Sequence, residues 1–275
     1  MTKEQQLKEL IDISGNGFHY KVVNFLRDRG WAVSVSPYYN DNLTDKPREI
    51  DIIAEKAFTV LDVFDKIGTV NVKLFVECKY INSDTVFWFD EKDMEKAVKM
   101  AMEATGLDDP RKNVSIEKLR TLKKAKVAKL FVTEKDKGKN QENDMIYKAL
   151  NQGLNALVYY KNTESIIPSR RQGISILRTL NYPVILCNNF NLFHCLDAKS
   201  EEQHGPVRIE DSFQFEINYA YINKDKKSQT EYFIVDIVNF EKLESFLKEI
   251  MEEDVETVKQ HVAWEHNFNI RNNRE

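Results

Sequence analysis

The sequence predicts an α/β chain, a mixed β-sheet flanked by helices, with a smaller α+β region toward its C-terminus. Three observations carry that prediction. Short segments alternate apolar and polar residues, as strands with one buried face do. Between them lie stretches of helical period, such as Phe18, Val22, Phe25 and Leu26 on one face. The order of these segments up to residue 160, α-β-β-β-α-β-α-β, reads as a meander followed by a crossover to a parallel neighbour.

The bulk numbers exclude several classes. Of 275 residues, 42% are hydrophobic and 31% charged, the balance of a globular chain rather than a disordered one. No apolar run approaches the roughly 20 residues that cross a bilayer. The opening MTKEQQLKEL lacks the apolar core of a secretory signal. Cys78, Cys187 and Cys195 form no CxxC pair. They are expected to be reduced thiols in a cytoplasmic protein, not a disulfide framework or a cysteine-built zinc site.

The elements follow in order. Residues 3–12 read as a short polar helix, and a second helix runs from Phe18 to about Arg29, with Gly30 where a cap is expected. In WAVSVSP, Trp31, Val33 and Val35 share one face of a strand. YYNDNLTDKP is polar and turn-like. EIDIIAEK (49–56) reads as the second strand and VNVKLFVECKY (70–80) as the third and clearest. Residues 90–104 have helical composition, VAKLFVTEK (127–135) is a strand, ENDMIYKALNQGLN a helix, and ALVYY (156–160) a short buried strand. Residues 161–173 form the weakest stretch and set a soft boundary between regions 12–160 and 174–265. Beyond it, YPVILCNN, NLFHCLD, FQFEINYAYI and TEYFIVDIV are strand-like, 240–260 is helical, and HNFNIRNNRE is a polar tail expected to fray.

Chemistry concentrates in FVECKY. Strand side chains alternate, so Glu77 and Lys79 point the same way, about 7 Å apart along the backbone. Val72, Leu74, Val76 and Cys78 occupy the opposite, core face. A carboxylate and an ammonium on a hydrophobic strand are costly without partners. An E-x-K pair alone is also what an ordinary sheet-edge ion pair looks like. Asp51 sharpens the reading: it lies among Ile50, Ile52 and Ile53, where aspartate is depleted and needs a partner. If its segment pairs with the third strand, Asp51 approaches Glu77. Two carboxylates held together repel unless a cation lies between them, and hard oxygen ligands suit Mg²⁺ or Mn²⁺.

Asp51, a gap of 25 residues, and then Glu77-Cys78-Lys79 resembles the D…(D/E)-x-K signature of the PD-(D/E)XK phosphodiesterase superfamily. GFHYKVVNFLRDRGWAV is similar to the first helix and strand of its Mrr-like restriction-endonuclease branch, and the resemblance spans roughly residues 12–160. It implies a restriction-endonuclease-like mixed sheet. It also implies metal ligation by Asp51, Glu77 and the main-chain carbonyl at Cys78, with Lys79 acting on the attacking water. The expected activity is then metal-dependent hydrolysis of DNA phosphodiester bonds in prokaryotic restriction or anti-phage defence. One position departs from the pattern: where the branch usually carries a glutamate after the leading aromatic, this chain has His19. That residue is read either as a surface histidine or as a replacement contact. Glu49, on the strand face of Asp51, is a candidate accessory residue.

The net charge of −4 is unlike a dedicated nucleic-acid binder, but 111–129 carries eight Lys or Arg and one Glu. Within it Lys123, Lys124 and Lys126 are candidate phosphate contacts, as are Arg170 and Arg171, against the plainer reading of a solvated surface. Trp88, between Phe87 and Phe89, is expected to pack in the core, with base stacking as the alternative. His194 and Cys195 are adjacent and so face opposite ways, which disfavours a zinc site. The region 174–265 carries no catalytic constellation and is read as a specificity, oligomerisation or partner-docking part. DNA and a second copy or partner subunit are the expected partners, with no membrane. The rival function is a catalytically degenerate nuclease-fold subunit that binds nucleic acid or a partner protein.

Overall fold

The computed structural model describes residues 2–13, 15–42, 44–62, 65–106, 116–134, 145–161, 176–199, 205–223 and 225–272. In chain order come α1 (Lys3–Ile13), α2 (Asn16–Asp28), β1 (Ala32–Val35), β2 (Tyr38–Asn40), β3 (Pro47–Glu49), β4 (Ile52–Asp62), β5 (Asp65–Lys79) and β6 (Thr85–Glu91). Next are α3 (Met94–Thr105), α4 (Arg120–Lys123), β7 (Lys126–Thr133), α5 (Met145–Lys161), β8 (Ile176–Cys187) and β9 (Phe193–Asp197). Last come β10 (Val207–Arg208), β11 (Phe213–Ile222), β12 (Ser228–Asn239), α6 (Leu243–Glu249) and α7 (Glu256–Asn272). The turn Ile250–Val255 between α6 and α7 is wound as a π-helix.

Ten strands form one mixed sheet in the order β1-β4-β5-β8-β12-β11-β7-β6-β9-β10, while β2 and β3 pair as a separate ribbon. The expected antiparallel meander is β1, β4 and β5. The parallel neighbour of β5 is β8, in register from Gly68↔Ile176 to Lys79↔Cys187. Strands from both sides of residues 161–173 therefore interleave in one sheet, and that boundary stretch lies largely outside the described residues.

Helices cover both faces. Val22, Val23 and Leu26 of α2 pack with Leu243, Phe246 and Val258 on one face, against Val70, Val72, Leu74 and Val76 of β5. Full burial of a side chain such as Leu26 contributes roughly 1.5–3 kcal/mol. On the other face α5 lays Ile146, Leu150, Leu154 and Leu157 against Phe75, Ile185 and Val235. The close approach of β5 and β8 needs Gly68, where a Cβ would lie 2.7 Å from the Ile176 carbonyl oxygen. Below the sheet, the buried Arg120 guanidinium donates to both oxygens of Asp236 at 2.7 and 2.6 Å, and the Arg120 N–H donates to Asp254. Breaking one partner of such a pair costs about 3–5 kcal/mol.

Several expectations need correction. ALVYY is not a strand; it continues α5, because Leu154, Leu157 and Val158 extend the helical apolar stripe and a five-residue apolar run cannot by itself tell strand from helix. EIDIIAEK is not one strand: β3 ends at Glu49, β4 begins at Ile52, and Asp51 lies at the bend between them. Part of the turn-like YYNDNLTDKP forms the β2–β3 ribbon. TVFWFDE is a strand, β6, which places Phe87 in the core and half-buried Trp88 on the other face, opposite Leu130 and Leu196. The tail remains helical to Asn272.

Candidate functional site

The meander sets the site. Antiparallel pairing of β4 with β5 ends at Ile52↔Val76, so the chain beyond Val76 leaves that ladder just where Asp51 bends away. There the Asp51 carboxylate takes the place of a strand neighbour: Oδ2 accepts the Cys78 N–H at 2.7 Å. A strand residue directs its N–H and C=O to the same edge, so the Cys78 carbonyl also faces the Asp51 side. Lys79 donates to Glu77 Oε2 at 2.7 Å, and its ammonium stands 3.7 Å from Asp51 Oδ2. Asp51, Glu77 and Lys79 thus converge at the C-terminal end of β5.

Both faces of β5 are covered, so Glu77 is buried, with 1% of its side chain exposed. Burial pushes its carboxyl up to about 7; Lys79 opposes this and Asp51 adds to it. Burial also works against the Lys79 charge, but the two carboxylates outweigh it and raise the ammonium above its ordinary value. Glu77 Oε1 is buried with no hydrogen-bond partner. A buried carboxylate oxygen without a donor calls for an explanation, and a hard divalent cation is one. Among the described residues no cluster of three or more His, Cys, Asp or Glu side chains fits a metal. The oxygen donors gathered at this point are the Asp51 and Glu77 carboxylates and, by strand alternation, the Cys78 carbonyl.

His19 reaches the site from α2, but through the main chain: its Nε2 lies 2.9 Å from the Asp51 carbonyl oxygen. That carbonyl also accepts the Ser36 N–H at 2.9 Å, so two donors fix the bend. Glu49 is turned to the ribbon, where its carboxylate holds the Tyr38 phenol.

Sequence reasoning missed the roof. Gly153 of α5 lies over Glu77, where an added Cβ would touch Glu77 Cγ at 4.0 Å and nothing nearer. Its neighbour Gln152 accepts from the Tyr39 hydroxyl at 3.1 Å, tying the ribbon to α5. Asn188 clamps the end of β5, donating its N–H to the Lys79 carbonyl at 3.1 Å and accepting from Ile81 at 2.8 Å. The available signal was the glycine in NQGLN, since glycine inside a helix costs about 1 kcal/mol and implies a packing reason.

The basic run is partly spoken for. Lys123 pairs with Glu253 at 2.7 Å, Lys126 with Asp197, and Lys124 donates to the Ser212 carbonyl. The register Phe75↔Pro183, Val184↔Asp236, Phe215↔Val235 and Phe215↔Ala128 sets Ala128 level with Phe75. Lys123 to Lys126 therefore lie at the sheet end that carries Glu77 and Lys79, four strand positions and about 20 Å across. Arg170 and Arg171 lie outside the described residues. His194 faces Asp84, whereas Cys195 packs against the core.

No family model matches the sequence, and no curated protein or solved structure matches it. Among the described residues, no helix is long and apolar enough to cross a membrane.

Proposed function

We propose that this chain is a metal-dependent nuclease of the PD-(D/E)XK, Mrr-like type, acting on DNA phosphodiester bonds in a cytoplasmic defence role. The observation that carries the reading is the convergence of Asp51, Glu77 and Lys79 beside the Cys78 main chain, with Glu77 Oε1 left without a donor. The antiparallel meander β1, β4 and β5 supports the restriction-endonuclease-like reading, although the parallel neighbour of β5 is β8 and not a strand of the expected 127–160 crossover. Mg²⁺ or Mn²⁺ held by Asp51, Glu77 and the Cys78 carbonyl would supply Lewis acidity and an acidified water. The residues do the rest. Glu77 and Asp51 hold the ion's position, and the Lys79 ammonium orients the nucleophile and offsets charge growing on the phosphate. His19 and Ser36 hold Asp51 in place, and Gly153 leaves room above the carboxylate.

A catalytically silent subunit that binds nucleic acid or a partner is the second reading. It is favoured by Lys79 lying between the two carboxylates, which closes the triad electrostatically without any ion. Incubation with plasmid DNA and Mg²⁺ or Mn²⁺, against an EDTA control, separates the two. Metal-dependent nicking or linearisation supports the nuclease. Its absence under every condition, with partners supplied, favours the subunit.

A further inference from the structure

The strands β8 and β12 are neighbours over only part of their length. They pair at Val184–Cys187 with Asp236–Asn239 and separate toward their N-terminal ends. The outer edge of β8 remains bound to β5 throughout, and that of β12 to β11, so the sheet opens as a wedge. Pro183 stands where the opening begins. Because the Asn188 N–H points to β5, alternation turns the nitrogen of residue 183 toward β12, and proline has no N–H to give there. By the same alternation the backbone N–H and C=O of Thr179 and Asn181 face the opening.

A cavity of about 440 Å³ fills this wedge, within the range of small-ligand sites. Its walls differ by direction. Above the sheet plane are Leu157 of α5 and Phe233; below are Met100 and Ala101 of α3 and Ile234. In the plane are the strand edges; the Asn181 side chain rises from β8 on the face of Ile185 and α5, and its Oδ1 is buried without a hydrogen-bond partner. Apolar side chains on both faces leave room for a heterocycle, with the strand edge in the plane, the Asn181 amide above it and Tyr182, Asp236 and Asp254 on the floor as hydrogen-bonding groups. The backbone groups of Thr179 and Asn181 that face the opening can take hydrogen bonds that an apolar ligand cannot provide. The wedge closes at Val184, so it admits a terminal group and does not pass an extended peptide through. At its mouth it adjoins a polar groove that shares Met100, Glu103, Lys161 and Glu231 and adds Lys96 and Lys99. Lys161 and Lys96 are held there by surface ion pairs, which an incoming phosphate can replace at small cost.

We infer that this wedge binds a nucleotide, its base between α3 and α5 against Asn181 and its phosphate among Lys96, Lys99 and Lys161. The site lies at the sheet end opposite Glu77 and stands independently of the nuclease reading. The test is calorimetric titration of the full chain, in EDTA, with nucleoside 5′-monophosphates and the matching nucleosides. Saturable one-to-one binding of at least one nucleotide is expected. Asn181→Leu should weaken it about tenfold, the scale of one lost hydrogen bond to a buried partner. Lys96→Glu with Lys99→Glu should weaken nucleotides and spare nucleosides. Ala104→Trp, at an exposed position beside the mouth, should block both. Asp51→Asn should leave binding unchanged, which keeps the result separate from the phosphodiester site. No binding by any nucleotide at millimolar concentration overturns the inference. So does binding that persists in Asn181→Leu and Ala104→Trp, or capture of an extended peptide in place of nucleotides.

Discussion

His19 holds Asp51 by its backbone and leaves the carboxylate alone: the ring Nε2 meets the Asp51 carbonyl oxygen at 2.9 Å, while Oδ2 turns to the Cys78 N–H at 2.7 Å. A carbonyl only accepts, so Nε2 carries the proton. His19 is therefore a positioning residue. His19→Ala should lower metal-dependent cleavage by about fivefold, the effect of one hydrogen bond of roughly 1 kcal/mol on a positioned ligand. His19→Gln, which keeps a donor, should recover part of the loss in a Mn²⁺ titration of cleavage. A loss of about 10²-fold or more that glutamine does not rescue would instead assign His19 a direct metal or phosphate contact.

Lys79→Ala should abolish plasmid cleavage while DNA binding survives, because the ammonium acts on the reacting atoms more than on ground-state grip. It also leaves Asp51 and Glu77 without their shared cation. The variant should melt below wild type in EDTA, and Mg²⁺ should raise its melting temperature more than that of wild type. A variant whose melting ignores Mg²⁺ would argue against metal ligation by the two carboxylates.

Glu77 predicts a pH dependence with a definite sign. Burial raises its carboxyl from the ordinary 4.5 to about 7, so between those values the folded chain keeps a proton that the unfolded chain has released. The stability this contributes is complete below 4.5 and is lost as pH rises through 7. Glu77→Gln carries no such proton. Relative to wild type, it should gain melting temperature steadily from pH 4.5 to 8 in EDTA. A difference that stays flat across that range would rule out the buried-carboxyl account.

Gly153 tests the roof. Gly153→Ala adds a methyl at ordinary van der Waals distance from Glu77 and removes a flexible helical position, so stability should rise by about 1 kcal/mol with cleavage retained. Gly153→Leu should fill the space above Glu77 and depress cleavage while circular dichroism still reports a folded chain.

Neutralising Lys123, Lys124 and Lys126 together should weaken DNA affinity and reduce the salt slope by about 2–3, near 0.9 for each phosphate left without its lysine. An unchanged slope would assign these lysines to their partners Glu253, Ser212 and Asp197 alone.

The site was readable because its chemistry is local. Glu77 and Lys79 share a face through strand alternation, and the isoleucines around Asp51 marked it as a carboxylate in need of a partner. What escaped was decided by tertiary packing. The ALVYY run matched either a strand or the end of a helix, and only packing of Leu154 and Leu157 on the sheet selects the helix. The bend at Asp51 depends on Ser36 and His19, which are distant in sequence. The β6 strand hid because Phe87, Trp88 and Phe89 are all aromatic and mask the alternation between core and open face.

The alternation of early and late strands in one sheet has a consequence for handling and inheritance. A fragment ending at residue 160 would synthesise β5 with its β8-facing backbone bare, and a fragment starting at 174 would carry β8 without β5 and β11 without β7. Neither piece is a cassette that can be cloned, fused or exchanged by recombination. Split versions of this chain should be recovered only when the two pieces are made together, each waiting for the other to complete its ladder.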